Sequence, residues 1–162
     1  MRSKKVLFIT QSALIAALYV VLTYFVSACN LASGAIQVRI SEALTILPFF
    51  TPAAIPGLFL GCLISNILTG CMPLDVVFGS LATLIGAVGT YALRRHKWLA
   101  PLPPIVANTI IVPFILAYVY MAEGSISFFM LTVGIGEVIS CYILGSMLRN
   151  VLERYRNVIF KY

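Results

Sequence analysis

Residues 40–70 read ISEALTILPFFTPAAIPGLFLGCLISNILTG, and whether this stretch crosses a bilayer once or twice decides the fold. It is roughly 30 residues long, too long for one span of about 20 and short for two at about 1.5 Å rise per residue. Pro48, Pro52 and Pro56-Gly57 punctuate it, as a sharp internal turn requires. The flanking apolar runs are less ambiguous. Val6 to Ala28, Leu74 to Leu93, Leu102 to Met121 and Ile126 to Leu148 are each long enough to span.

Charge parity chooses between the two readings. All but one of the 11 Lys and Arg residues fall into three clusters: Arg2/Lys4/Lys5, Arg94/Arg95/Lys97 and Arg149/Arg154/Arg156/Lys161. Cations collect on the cytoplasmic flanks of membrane spans. A single crossing of residues 40–70 would put the middle cluster outside; two crossings put all three inside. The expected fold is therefore an all-α integral membrane protein of six transmembrane helices. Both termini are cytoplasmic and helices 2 and 3 form a short hairpin, with residues 1–162 as a single membrane-embedded domain. Helices too short to reach both faces need shelter from their neighbours.

Composition agrees. The 162 residues are 61% hydrophobic and 10% charged, with mean hydropathy +1.04, far from the roughly 25% charge of a soluble domain. The net charge of +6 is accounted for at the span ends, so nucleic acid is not an expected partner. The four cysteines form no CxxC pair, and the one histidine, His96, lies in the basic linker, so neither a metal nor another cofactor is expected. Cys29 and Cys71 both fall near the outer side, where a disulfide or two small buried hydrophobes are the alternatives. Val26-Ser27-Ala28-Cys29 resembles a lipoprotein cleavage site. Cleavage there would invert the remaining topology against the charge rule, so an uncleaved first span is expected.

The polar residues left inside or beside the spans are the candidate site. Arg39 is the cation outside the clusters, three residues before Glu42 and two after Gln37; contact with a solute and pairing with Glu42 as an interfacial anchor are its two readings. Glu137 lies ten residues into the last span, about 15 Å from its end. Gly134, Cys141 and Gly145 share its side of the helix, so it should face the bundle or a cavity. Asp75 starts the fourth helix as a cap or a ligand contact. Asn66 and Asn108 each offer a donor and an acceptor to a heterocycle or to a neighbouring helix. Small residues at Gly57, Gly61 and Ser65, along Gly79, Ala82, Gly86 and Gly89, and at Ala13 and Ala17 predict close helix packing. No GxSxG, HExxH or GxxxxGK[ST] pattern is present, so no reaction centre is expected and ATP would be handled by another chain.

The block from Ile36 through Gln37, Arg39, Glu42 and Pro56-Gly57 to Cys62 closely resembles the QueT family. Ala13 to Thr23, Leu74 to Thr83 and Ala107 to Pro113 resemble it too. The resemblance implies a substrate-binding (S) component of an energy-coupling factor importer in a bacterial cell membrane, taking up queuosine precursors, which are 7-deazaguanine bases. It implies as partners a transmembrane coupling protein, docked on Ala13 and Ala17, and two cytoplasmic ATPases. A carboxylate would bond the adjacent N–H donors of the base in bidentate fashion. Glu137 is the first candidate and Glu42 or Asp75 the second. Arg39, Gln37 or an Asn would take the ring carbonyl, and Phe78 and Tyr118 are candidates for stacking. An S component for another vitamin or nucleobase is the alternative within the class; a small membrane enzyme or a structural subunit without a solute lies outside it.

Overall fold

A computed structural model describes residues 4–28 and 39–159. Among them every regular element is helical. Helix α1 runs Lys4–Ala28, followed after residues 29–38 by a 3₁₀ helix at Ile40–Phe49. Helices α2 (Ala54–Leu68), α3 (Pro73–Ala92) and α4 (Leu102–Tyr118) come next. The last long helix, α5, spans Ile126–Arg154 and contains a π-helical turn at Val138–Leu144. A final turn occupies Arg156–Ile159. Three helices, α1, α3 and α5, are long and apolar enough to cross a membrane; Ile40–Phe49, α2 and α4 are shorter apolar helices.

The proline-marked stretch does divide in two, but its first half is 3₁₀ rather than α. At about 2 Å rise per residue it extends about 20 Å, short of a hydrocarbon core of about 30 Å. Residues 41–48 are buried throughout, so the segment lies inside the bundle. Its depth can be read from two contacts. The Thr51 hydroxyl donates to Gln11 Oε1 (3.0 Å), and the Ser12 hydroxyl to the Ala53 carbonyl (2.8 Å). The turn between the 3₁₀ helix and α2 therefore sits about 10 Å along α1 from Lys4. The chain dips to that depth and returns. Helix α2 ends in a Schellman closure: Cys71 N–H bonds the Asn66 carbonyl (2.9 Å), Gly70 N–H bonds that of Ile67 (3.1 Å), and Gly70 takes φ +73°.

Small residues bring the backbones together. An added Cβ on Gly57 would stand 2.7 Å from the Ser12 carbonyl oxygen, and one on Gly61 2.7 Å from Tyr19 Cβ. This glycine pair seats α2 against the Ser12/Ile15/Ala16/Tyr19 face of α1. Gly86 and Gly89 do the same for α3 against Pro104 and Pro103 of α4. Both stripes act within the chain, as small-residue faces in lipid do. Ala13 and Ala17, in contrast, are exposed. The apolar core gathers Ile15, Tyr19, Leu44, Leu47, Leu58 and Cys62 where α1, the 3₁₀ helix and α2 meet.

The α1–α2 contact sets a test. Gly61→Ala forces overpacking and should cost about 1–3 kcal/mol, read as a lower melting temperature of the detergent-purified protein. Gly134→Ala, whose Cβ would meet nothing closer than Thr109 at 3.5 Å, should be neutral or stabilise by up to about 1 kcal/mol. Equal melting shifts for the two variants would refute the close approach.

Candidate functional site

Helix α1 presents a stripe of side chains at spacings of three and four: Tyr19, Thr23, Val26 and Ser27. Opposite it stand Arg39 and Ser41 from the entry to the 3₁₀ helix, Asn66 and Thr69 from the end of α2, and Cys71. Together they enclose a cavity of about 210 Å³. Most of these residues carry a hydroxyl, amide, thiol or cation, which is unusual among apolar helices. Apolar grooves among the described residues contrast with it, such as that along α3 and α4 lined by Ile85, Leu93, Leu102, Val106 and Ile110.

Tyr19 closes the inner wall of the cavity. Its hydroxyl donates to Glu42 Oε1 at 2.5 Å. Glu42 is 1% exposed, and its second oxygen, Oε2, is buried without a hydrogen-bond partner. Glu42 and Thr45 share an edge because a 3₁₀ helix repeats every three residues. The Thr45 hydroxyl donates to the Glu42 carbonyl (2.6 Å) and lies 3.4 Å from Cys141 Sγ. Cys141 in turn donates to Glu137 Oε2 at 3.2 Å, from the next turn of the same helix. The Asn108 amide of α4 faces both carboxylates. The result is a buried polar layer beneath the cavity: Tyr19, Glu42, Thr45, Asn108, Glu137 and Cys141.

The π turn in α5 contributes at this point. Its extra residue redirects Ser140 and Cys141 toward the 3₁₀ helix, where Ser140 Oγ accepts the backbone N–H of Arg39 at 3.1 Å. That bond fixes Arg39 at the cavity wall. The positive charge of Arg39 acts on Tyr19, Glu42 and Asp75 together, although no direct ion pair joins it to Glu42 among the described residues. The interfacial-anchor reading of Arg39 with Glu42 therefore has no direct contact behind it.

The remaining candidates distribute as follows. Asn66 lines the cavity, with Asp75 beyond it; Asn66 Nδ2 and Asp75 Oδ1 would each stand 3.2 Å from a Cβ on Gly79. Asp75 is an acid of the first turn of α3, favourable to the helix dipole, while Met72 occupies the N-cap position without a side-chain bond. Its Oδ2 accepts from the Tyr120 hydroxyl (2.7 Å), which also accepts the Met72 N–H (3.2 Å). Asn108 and Glu137 belong to the layer below the cavity. Gln37 and Cys29 lie outside the described residues; Cys62, Cys71 and Cys141 are free thiols.

Phe78 and Tyr118 are away from the cavity. They are 47% and 66% exposed and line an outer apolar groove, where Tyr118 stacks on Phe114 at 6.3 Å. The aromatic ring on the cavity is Tyr19, which sequence reasoning missed. Its signal was the polar stripe Ser12, Tyr19, Thr23 and Ser27 on one face of an otherwise apolar helix.

Glu42, Glu137 and Cys141 also bring three potential ligand atoms within 4.8 Å of one another, near enough for one cation. Each is engaged with a protein group instead: Glu42 with Tyr19, and Glu137 with Cys141. The arrangement suits recognition by hydrogen bonds.

A Lactococcus lactis subsp. cremoris (strain MG1363) protein named queuosine precursor transporter QueT is 39% identical over 98 residues, 60% of this chain. The chain thus spans 57% of the length of that curated relative. No solved structure matches. The family model described as QueT transporter matches residues 9–154, which takes in α1, the 3₁₀ helix and everything through α5, and the chain belongs to the QueT transporter family.

Proposed function

We propose that this chain is the S component of an ATP-driven energy-coupling factor importer. It binds a queuosine precursor, a 7-deazaguanine base, and delivers it across a bacterial cell membrane. The observation that carries the reading is the polar cavity over buried Glu42, set in a chain of the QueT transporter family. A small, hydrogen-bond-rich cavity among apolar helices suits a planar, polar heterocycle. Arg39, with donors and no acceptor, suits a ring carbonyl; Asn66 is a further rim contact with Asp75 behind it, and Gln37 remains a candidate from the sequence. Glu42, next to the cavity wall, moves ahead of Glu137, which lies deeper with Asn108.

Six crossings with both termini in the cytoplasm go with this role. Support comes from the helix ends. Arg149 of α5 is 2% exposed and hydrogen-bonds the Lys97 carbonyl, so the second and third basic clusters meet. The cavity is lined by residues at the opposite ends of α1 and α2. Solute site and basic surface therefore lie at opposite ends, as an outward-facing receptor over a cytoplasmic engine requires. The chain hydrolyses no ATP itself; two cytoplasmic ATPases do so, joined to it through a transmembrane coupling protein. Exposed Ala13 and Ala17 on α1 allow a partner helix to approach closely.

Three outcomes are expected. The purified protein binds 7-deazaguanine bases saturably in equilibrium dialysis, and flat titrations across queuine and its aminomethyl and cyano precursors would overturn the reading. In a Cys29→Ser background, Cys71 should be alkylated faster than buried Cys62 and Cys141, and bound base should slow it severalfold by intact-mass measurement; Cys71 labelling indifferent to saturating base would remove it from the site. Ala17→Trp should abolish cellular uptake while leaving the affinity of the isolated chain within about twofold, since exposed substitutions away from a site are near neutral. Uptake that survives Ala17→Trp would end the docking assignment.

A further inference from the structure

We infer that Glu42 is the acid that reads the base, and that Tyr19 is a displaceable stand-in for one of the ligand's N–H donors. The inference rests on the functional reading above. Buried carboxylate oxygens need donors, yet Glu42 has Oε1 filled by Tyr19 at 2.5 Å while Oε2 makes no hydrogen bond, although the Asn108 amide faces the carboxylate. Glu42 Oε2 is the carboxylate oxygen buried without a partner among the described residues. Glu137, by contrast, already receives Cys141. Tyr19, the residue bonded to Glu42, also lines that cavity.

A ligand edge with two adjacent N–H groups supplies what Glu42 lacks. Such an edge bonds both carboxylate oxygens at once, as a guanidinium does. One bond fills Oε2. The other replaces the Tyr19 hydroxyl on Oε1, and the freed ring remains as an apolar wall for the heterocycle. Arg39, on the same cavity, offers N–H donors to an acceptor beside that edge. The chemical class so defined is a 2-amino-4-oxopyrimidine edge: ring N–H, exocyclic amine and adjacent carbonyl. A free Tyr19 hydroxyl finds a new partner in Thr23, Ser41 or Asn66 of the cavity wall.

The test compares 7-deazaguanine with 7-deazahypoxanthine, which lacks the amino group, on the full chain in detergent or nanodiscs. In the wild type, loss of the amino group should weaken binding at least about tenfold, because a charge-assisted bond is lost. In Glu42→Gln the same loss should cost less than about threefold, since the paired acceptor is already gone. Tyr19→Phe removes the competitor while keeping the ring, and should tighten 7-deazaguanine binding severalfold. The two bases binding the wild type equally, an equal penalty in wild type and Glu42→Gln, or weaker binding by Tyr19→Phe would each overturn the assignment while leaving a deazapurine receptor in place. Failure of the wild type to bind either base overturns the functional reading and this assignment with it. Should Glu42→Gln not fold, the wild-type comparison and Tyr19→Phe still decide.

Discussion

A carboxylate buried among membrane helices must be given partners, and most of this structure can be read as the means of doing so for Glu42. Removing one from water is disfavoured by several kcal/mol unless neighbouring groups compensate. The compensation comes from distant parts of the chain: Tyr19 from α1, Asn108 from α4, the positive potential of Arg39. Bringing them within reach requires a segment that enters the bundle and leaves again. The 3₁₀ helix supplies that entry. Ten residues of 3₁₀ are uncommon because its hydrogen bonds are poorer than those of an α-helix. Here burial on every side replaces what local geometry lacks.

That burial depends on backbones approaching closely elsewhere. Gly57 and Gly61 let α2 lie against α1, so that Tyr19 projects over Glu42. Gly86 and Gly89 let α3 close on the prolines of α4, which brings Asn108 inward. The π turn makes the matching adjustment in α5, aiming Ser140 at the Arg39 backbone and Cys141 at Thr45. Each device is a local departure from a straight α-helix. Each points into the same polar layer.

Much of this was legible in the sequence, and the gaps have physical causes. Apolar length located α1, α3, α4 and α5 within a few residues, because a span's composition is dictated by lipid rather than by neighbours. Prolines at 48, 52 and 56 marked the internal turn. They could not reveal the 3₁₀ segment, since continuous burial erases the polar–apolar period that distinguishes helix types. Glu137 was correctly placed on an inward side by its small neighbours. Asp75 is legible as a first-turn acid of its helix, but its hydrogen-bond partner, Tyr120, lies 45 residues away and leaves no local trace. Phe78 and Tyr118 were chosen for their rings alone, and the fold turns both outward, where aromatic residues meet lipid as readily as solute. Tyr19 was hidden for the opposite reason. One tyrosine in a long apolar helix looks like packing until the hydroxyl stripe around it is seen.

Arg39 ties the two ends of the molecule to one logic. Ten of the cations fall in three clusters along the sequence, and two of those clusters meet through Arg149 and the Lys97 carbonyl. The eleventh is held at the other end, with its backbone pinned to Ser140 and its side chain at a cavity. Topology alone gives no reason for a cation there. The polar layer does: Glu42 beneath the cavity and Asp75 beside it make the position electrostatically favourable without neutralising Arg39 in a close ion pair. Among the described residues this guanidinium stands near acids without a close ion pair to them. The same compromise leaves Glu42 Oε2 without a partner, so cation and anion are both held short of saturation around one small volume.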